Sequence, residues 1–284
     1  RYLPGNALHP DILAVTDPEE ALRNAGIVIL AVPCQAMRAL LRQVAAHIPP
    51  GASLVCASKG MERGSFALMS GVVAEEVPQG LSRYAVLSGP SFAREVMTPL
   101  PTAVVLGCRD ASRAAMLRRE LSTPMFRVYS NPDLTGVECG GAFKNVIAIA
   151  AGVADGLGFG HNSRAALITR GLAEMSRLGV ALGAEAATFM GLSGLGDLVL
   201  TAAGDLSRNR QVGLRLGRGE PLERIVASMR HVAEGLPTTE AAHDLARERA
   251  VDIPITNAMH AVFRGGADPE SAVRDLMGRA LKDE

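Results

Sequence analysis

The pair Lys144-Asn145 stands between Gly140-Gly141-Ala142-Phe143 and the apolar run Val146-Ile147-Ala148-Ile149-Ala150-Ala151. Polar heads against a buried segment are costly unless they meet partners or a ligand. An ammonium held there can stabilise a developing negative oxygen or exchange a proton with it. The two glycines weaken a helix, but they let another backbone or a substrate come close. The alternative, a Lys144 whose head reaches the surface, has to contend with apolar flanks. Asp197, in Gly194-Leu195-Gly196-Asp197-Leu198, adds a carboxylate on a glycine-rich turn. Ser207-Arg208-Asn209-Arg210 adds a hydroxyl, an amide and two guanidinium groups, a set suited to bidentate capture of a phosphate. As a bare string it is more often a solvated helix end, and its value comes from coexisting with Lys144 and Asp197.

These groups need a scaffold, and the first half of the chain supplies a regular one. Ile27 to Val32 is a continuous apolar run stopped by Pro33, the pattern of a strand buried on both faces. Helical stretches at 36–47, 61–77 and 110–121 alternate with strand-like runs at 54–57, 84–87, 102–106 and 126–129. This alternation predicts a parallel α/β sheet, with ligands at the carboxyl ends of its strands. Three such ends carry chemistry: Pro33-Cys34-Gln35, Ser58-Lys59-Gly60 and Ser88-Gly89-Pro90-Ser91-Phe92-Ala93. The last exposes backbone and hydroxyl groups that suit an oxyanion or phosphate, or forms an ordinary strand-to-helix turn. Beyond residue 131 the strand signal fades. Asn131-Pro132 reads as a helix start, Asn162-Ser163 as the cap of the next, and helical stretches follow at 184–191, 221–230, 238–249, 255–264 and 269–281. Two domains are expected, 1–130 binding a dinucleotide and 131–284 helical, carrying substrate and catalysis.

Composition narrows the classes. With 48% hydrophobic and 20% charged residues, the 284-residue chain can bury a core. Its 29 basic residues balance 29 acidic ones, so no bulk field draws nucleic acid or an anionic membrane. Cys34, Cys56, Cys108 and Cys139 form no CxxC pair and read as reduced core thiols. No histidine spacing suits a catalytic metal. No apolar run approaches a membrane span and no signal peptide opens the chain, so a soluble, cytoplasmic protein is expected. A GxGxxG dinucleotide turn is missing. Gly191-x-x-Gly194-x-Gly196 has the wrong spacing and follows no strand.

Taken in order, Arg1-Tyr2-Leu3-Pro4-Gly5, Ala31-Val32-Pro33, Ser58-Lys59-Gly60, Ser88 to Ala93, Gly140 to Val146, Gly194 to Leu198 and Ser207 to Arg210 resemble the bacterial-type NAD(P)-dependent glycerol-3-phosphate dehydrogenases nearly end to end. The resemblance implies a Rossmann-like domain followed by an all-α one. It also implies interconversion of dihydroxyacetone phosphate and sn-glycerol 3-phosphate with NAD or NADP, for glycerophospholipid synthesis, by a homodimer. It makes Lys144 the proton acceptor when glycerol 3-phosphate is oxidised, with Asp197 orienting its ammonium. Lys59 would touch cofactor and substrate; Gly89, Ser91, Lys144, Asp197, Ser207, Arg208 and Asn209 would bind substrate. Ala93, Arg208, Val232 and Glu234 would bind cofactor, and no metal is implied. Family members open with a glycine-rich turn that would precede Arg1, so this chain is expected to lack the first βαβ portion and to bind dinucleotide poorly. Two rivals stand beside this reading. A β-hydroxyacid dehydrogenase has a Lys-x-x-x-Asn pattern, whereas Ala148 lies four after Lys144 here. A non-catalytic phosphate-binding protein or an inactive fragment is the other.

Overall fold

Short runs of β-branched and aliphatic residues, each closed by a polar or glycine-rich turn, build the sheet. A computed structural model describes residues 5, 7–98, 100–229 and 233–279; Arg1 to Pro4, Val232 and the expected helix ends at 230 and 280–281 lie outside them. In chain order the elements are α1 (Pro18–Leu22), β1 (Ile27–Leu30), α2 (Cys34–Val44), β2 (Ser53–Cys56), α3 (Met69–Glu76), β3 (Tyr84–Ser88), α4 (Ala93–Met97), β4 (Thr102–Gly107), α5 (Ala111–Leu121) and β5 (Phe126–Asn131). Helices then take over: α6 (Leu134–Gly156), α7 (Gly160–Ala181), α8 (Asp197–Ala203), α9 (Arg208–Gly217), α10 (Leu222–Ser228), α11 (Gly235–Glu248), α12 (Pro254–Arg264) and α13 (Pro269–Met277). An α/β unit is thus followed by a helical one.

The five strands lie in the order β1-β2-β3-β4-β5. β1, β2 and β3 run parallel, β4 runs antiparallel to β3, and β5 is parallel to β4. The expectation of a wholly parallel sheet is therefore corrected to a mixed one. A parallel neighbour needs a crossover that returns the chain to the same end. Between β3 and β4 the chain forms only the five-residue α4, so β4 turns straight back.

Four local expectations also shift. The helix read over 61–77 begins only at Met69, because the chain first loops through Gly64 (φ +78°) and Phe66 (φ +56°). Glu62 anchors that loop to Arg38 at 2.7 Å. Pro132 lies just before α6 rather than inside it: the cap is Asp133, which accepts from the Gly136 amide at 2.8 Å. Asn162 and Ser163 sit within α7, whose cap position is Phe159. The glycine-rich turn at 194–197 is a π-helical turn, Leu192–Gly196, running into α8.

α6 is the axis of the molecule. From Val137 to Ala154 every residue on it is buried. At 23 residues it is long and apolar enough to cross a membrane, correcting the expectation that no run approaches that length; its apolar window is wholly buried against neighbouring helices. α9 packs on it through glycine. A Cβ on Gly213 would lie 2.0 Å from the Ile149 carbonyl oxygen, and one on Gly152 2.1 Å from that of Arg210. Gly217 and Gly156 repeat the contact one turn on, at 2.3 Å from the Val153 oxygen and 2.5 Å from the Leu214 oxygen. The two backbones touch.

The helical part also completes helices of the α/β part. Neither α2 nor α3 has a capping side chain of its own. The first amide of α2, from Cys34, donates to Glu234 Oε1 at 3.0 Å. Ser70, second in α3, donates its amide to Glu138 Oε1 at 2.9 Å. Both acceptors meet orphan N–H groups at the positive end of a helix.

Gly213→Ala places a methyl group against a backbone oxygen that cannot rotate away. Overpacking of this kind costs about 1–3 kcal/mol, and a fall of that size in the urea unfolding free energy is expected. A variant as stable as the parent would show that α6 and α9 separate freely.

Candidate active site

Two strand ends and two helices meet around one carboxylate. Asp197 is the first residue of α8 and is 1% exposed. Its Oδ1 pairs with Lys144 Nζ, which rises from the middle of α6, and its Oδ2 pairs with Lys59 Nζ at 2.7 Å. Lys59 comes from the loop after β2 and also donates to the Gly89 carbonyl, just past β3, at 3.0 Å. Gly89 holds φ at +120°, and a Cβ there would lie 3.1 Å from the Cα of Val104 on β4. Only glycine presents this carbonyl to Lys59 without strain. Gly141, one turn before Lys144, leaves room for the Lys59 stem: a Cβ there would sit 3.4 Å from Lys59 Cγ and 2.7 Å from Ser88 Oγ.

Two groups absent from the sequence-derived site complete the inner cluster. Lys144 Nζ donates to Thr201 Oγ1 at 2.9 Å, and that hydroxyl donates to the Asp197 carbonyl at 2.6 Å. Thr201 lies four residues after Asp197 on α8, a spacing that shares one helix face and could have identified it. Asn145, noted beside Lys144 for its burial, donates to the Gly141 carbonyl at 3.3 Å and accepts from Asn209 Nδ2 at 2.9 Å. Asn209 Oδ1 in turn accepts from the Gly235 amide at 3.0 Å. A chain of amides thus ties α6, α9 and the start of α11.

The remaining residues singled out from the sequence are spread more widely. Ser91 donates to the Gly89 carbonyl at 3.0 Å, and Ala93 opens α4, exposed. Ser207 is 2% exposed and caps α9, its oxygen accepting from the Arg210 amide at 3.2 Å. Arg208 is exposed beside Asn209 and lines a hollow of about 130 Å³ with Gln211, Arg215 and Met229. Arg210 is withdrawn from any anion site: it pairs with Asp155 and Asp205, both at 2.8 Å. The two guanidinium groups read side by side in the sequence are therefore one exposed and one structural. Glu234 binds both the amide and the thiol of Cys34, the latter at 3.2 Å. All four cysteines are buried free thiols.

The electrostatics follow from two ammonium groups sharing one buried carboxylate. Burial pushes Asp197 up, but Lys59 and Lys144 more than reverse it and hold the acid below its ordinary range. Lys144 is 6% exposed. Burial, and then repulsion from Lys59, pull its pKa down to about 7 against the attraction of Asp197. One carboxylate neutralises one cation, and the more deeply buried lysine yields its proton. The cluster thus holds an amine that can give or take a proton near neutral pH, beside a second cation able to stabilise an oxyanion.

The carboxyl ends of β1, β2 and β3 open on one side, where a nucleotide lies in sheets of this kind. The residues present fit a nicotinamide dinucleotide there. Ala31 and Pro33 stand exposed after β1, Lys59 offers a cation after β2, and Glu234 reaches across from the helical part to the start of α2. Beside Gly60 the Thr238 hydroxyl is buried with no partner among the described residues.

The family model for the NAD-dependent glycerol-3-phosphate dehydrogenase N-terminus matches residues 1–114, and that for the C-terminus matches residues 133–274. The glycerol-3-phosphate dehydrogenase (NAD(P)+) of Oleidesulfovibrio alaskensis is 59% identical over 283 residues, 100% of this chain and 86% of the relative. That of Nitratidesulfovibrio vulgaris is 58% identical, again over 100% of this chain and 86% of the relative. A crystal structure of glycerol-3-phosphate dehydrogenase from Coxiella burnetii superposes with a TM-score of 0.92 at 39% identity, covering 98% of this chain and 84% of that one. These matches decide against the β-hydroxyacid dehydrogenase reading. With both halves matched by the same family and relatives this similar over its whole length, the chain belongs to the NAD(P)-dependent glycerol-3-phosphate dehydrogenases.

Proposed function

We propose that Lys144 is the general acid and base of this dehydrogenase, that Asp197 aims it, and that Lys59 is the second cation at the reacting oxygen. The observation that carries the reading is the buried Lys59–Asp197–Lys144 cluster, with a lysine pKa of about 7. A bound nicotinamide supplies or accepts the hydride. As dihydroxyacetone phosphate is reduced, its ketone oxygen gains negative charge, and the Lys144 ammonium neutralises it and delivers the proton. In the oxidation of glycerol 3-phosphate the neutral amine takes that proton back. Asp197 stays ionised throughout, because Lys59 remains paired with it at 2.7 Å when Lys144 has given up its proton.

Phosphate recognition belongs, in the same reading, to the start of α9. Arg208 supplies a planar fork, while Asn209 and Ser207 set the geometry of the turn that carries it. Gly89 and Ser91 bound the substrate from the sheet side, and Ala93, Arg208 and Glu234 serve the cofactor. Residues 1–130 would then serve the dinucleotide and 131–284 the substrate. A homodimer, a cytoplasmic location and a role in supplying glycerol 3-phosphate for phospholipids complete the proposal, each supported by family membership.

Replacing Lys144 with alanine should lower kcat by about 10²–10⁴, the usual worth of general acid–base catalysis. Circular dichroism should still report a folded protein. Wild-type turnover in that variant would make Lys144 structural.

The pH dependence should have opposite signs in the two directions. Reduction of the ketone needs the ammonium, so kcat/KM should fall as pH rises past about 7. Oxidation of the alcohol needs the amine and should rise over the same interval. Profiles that are flat through neutrality in both directions would remove Lys144 from the proton transfer.

Arg208→Lys keeps the charge but loses the fork. The KM for dihydroxyacetone phosphate should rise while that for unphosphorylated dihydroxyacetone stays constant. Equal changes in both would mean that Arg208 does not read the phosphate.

A further inference from the structure

Glu138 stands on α6 six residues before Lys144, 6% exposed, and takes no part in the chemistry above. Its carboxyl group gathers three donors from the α/β part. Oε1 accepts from the Ser70 amide at 2.9 Å and the Tyr84 hydroxyl at 2.7 Å, and Oε2 accepts from the Ser70 hydroxyl at 2.5 Å. Ser70 is the second residue of the helix that ends the Lys59 loop, and Tyr84 opens the strand that ends at Ser88, just before Gly89. The two anchors therefore sit at the far ends of the two segments that hold Lys59: its own loop, and the strand whose next carbonyl receives its ammonium. Glu138, Lys59, Ser88 and Gly141 also wall one small cavity of about 10 Å³. Ser88 Oγ is buried there with no hydrogen-bond partner among the described residues. A rigid helix then fixes the distance to Lys144, roughly 9 Å along the axis.

We propose that Glu138 is a positioning residue for Lys59: by clamping α3 and β3 onto α6 it sets where the Lys59 ammonium meets Asp197 and Lys144. This rests on the reading of the lysine pair as the catalytic centre. Its physical consequence is specific. Lys59 helps to hold the Lys144 pKa down by repulsion and competes for Asp197. If the clamp loosens and Lys59 drifts away, Lys144 loses the repulsion and keeps the carboxylate, so its pKa rises. The titratable groups facing Lys144 are Lys59 from the β2–α3 loop and Asp197 from α8. Those around Glu138 are Tyr84 and Cys56 from the sheet, Cys139 from α6 and, farther off, Arg109.

The sequence makes the test tractable, because its 284 residues include three lysines: Lys59, Lys144 and Lys282. Protein grown with ¹³Cε-lysine gives three signals, assigned with Lys59→Arg and Lys282→Arg, and each is titrated by NMR without cofactor or turnover. In the parent, one signal should titrate near 7. Glu138→Met, which removes the acceptor at similar volume, should move that inflection upward by about half a unit or more. Glu138→Gln, which keeps an oxygen for the Ser70 amide and the Tyr84 hydroxyl, should restore it. Tyr84→Phe, which loses one hydroxyl, should shift it less and in the same direction, and it decides the question should Glu138→Met not fold. An unmoved inflection in a folded Glu138→Met protein, or in Tyr84→Phe if that variant alone folds, overturns the proposal and leaves Glu138 a structural clamp. If no lysine of the parent titrates below its ordinary range, the reading of the lysine pair fails first, and this inference with it.

Discussion

A carboxylate buried between two ammonium groups is an unequal arrangement by construction. One negative charge cannot satisfy two positive charges in a medium that stabilises neither, so the cluster settles by letting one cation become weakly basic. Which one yields is decided by depth. Lys144 rises from the middle of a fully enclosed helix, whereas the Lys59 side chain remains 21% exposed at a strand end. Much of the surrounding architecture maintains that inequality. Gly89 turns a carbonyl toward Lys59, Gly141 clears a path for its stem, and the first residue of α8 brings the acid to both.

α6 makes this placement repeatable. It carries Glu138, Gly141, Lys144 and Asn145 on one rigid element, so their spacing follows from the helix itself. The glycine contacts with α9 then fix Asn209, and with it the exposed Arg208, relative to that element. A scaffold built from touching backbones has little room to adjust, since the contact atoms cannot change rotamer.

The chemistry-bearing residues were largely legible because they sit in short, polar interruptions of apolar sequence. Lys144 and Asn145 against Val146 to Ala151, and Lys59 after a buried strand, are visible without any structure, and the fold brings Lys59, Gly89, Lys144 and Asp197 into contact. Strand positions were legible for the same reason: each is a brief apolar run with a turn on either side. Less visible were features that depend on partners distant in sequence. The reversal of β4 goes with a connection whose helix, α4, is only five residues long, not with the composition of β4 itself. Ser207 and Arg210 look like ligands for an anion, yet one caps its own helix and the other answers Asp155, 55 positions away. Thr201 shares a helix face with Asp197, but nothing local separates it from an ordinary helical threonine.

The borrowed caps of α2 and α3 have a further bearing, on how the molecule opens. The amides of Cys34 and Ser70 find their acceptors on Glu234 and Glu138, which belong to the helical part. Detaching that part would strand N–H groups at two helix starts that have no capping side chain of their own. Unfolding of the helical part would therefore take the acceptors from both helix starts and leave those amides to water, loosening the first turns of α2 and α3. Slow exchange of those two amide hydrogens with solvent would thus report that the helical part stays docked on the sheet.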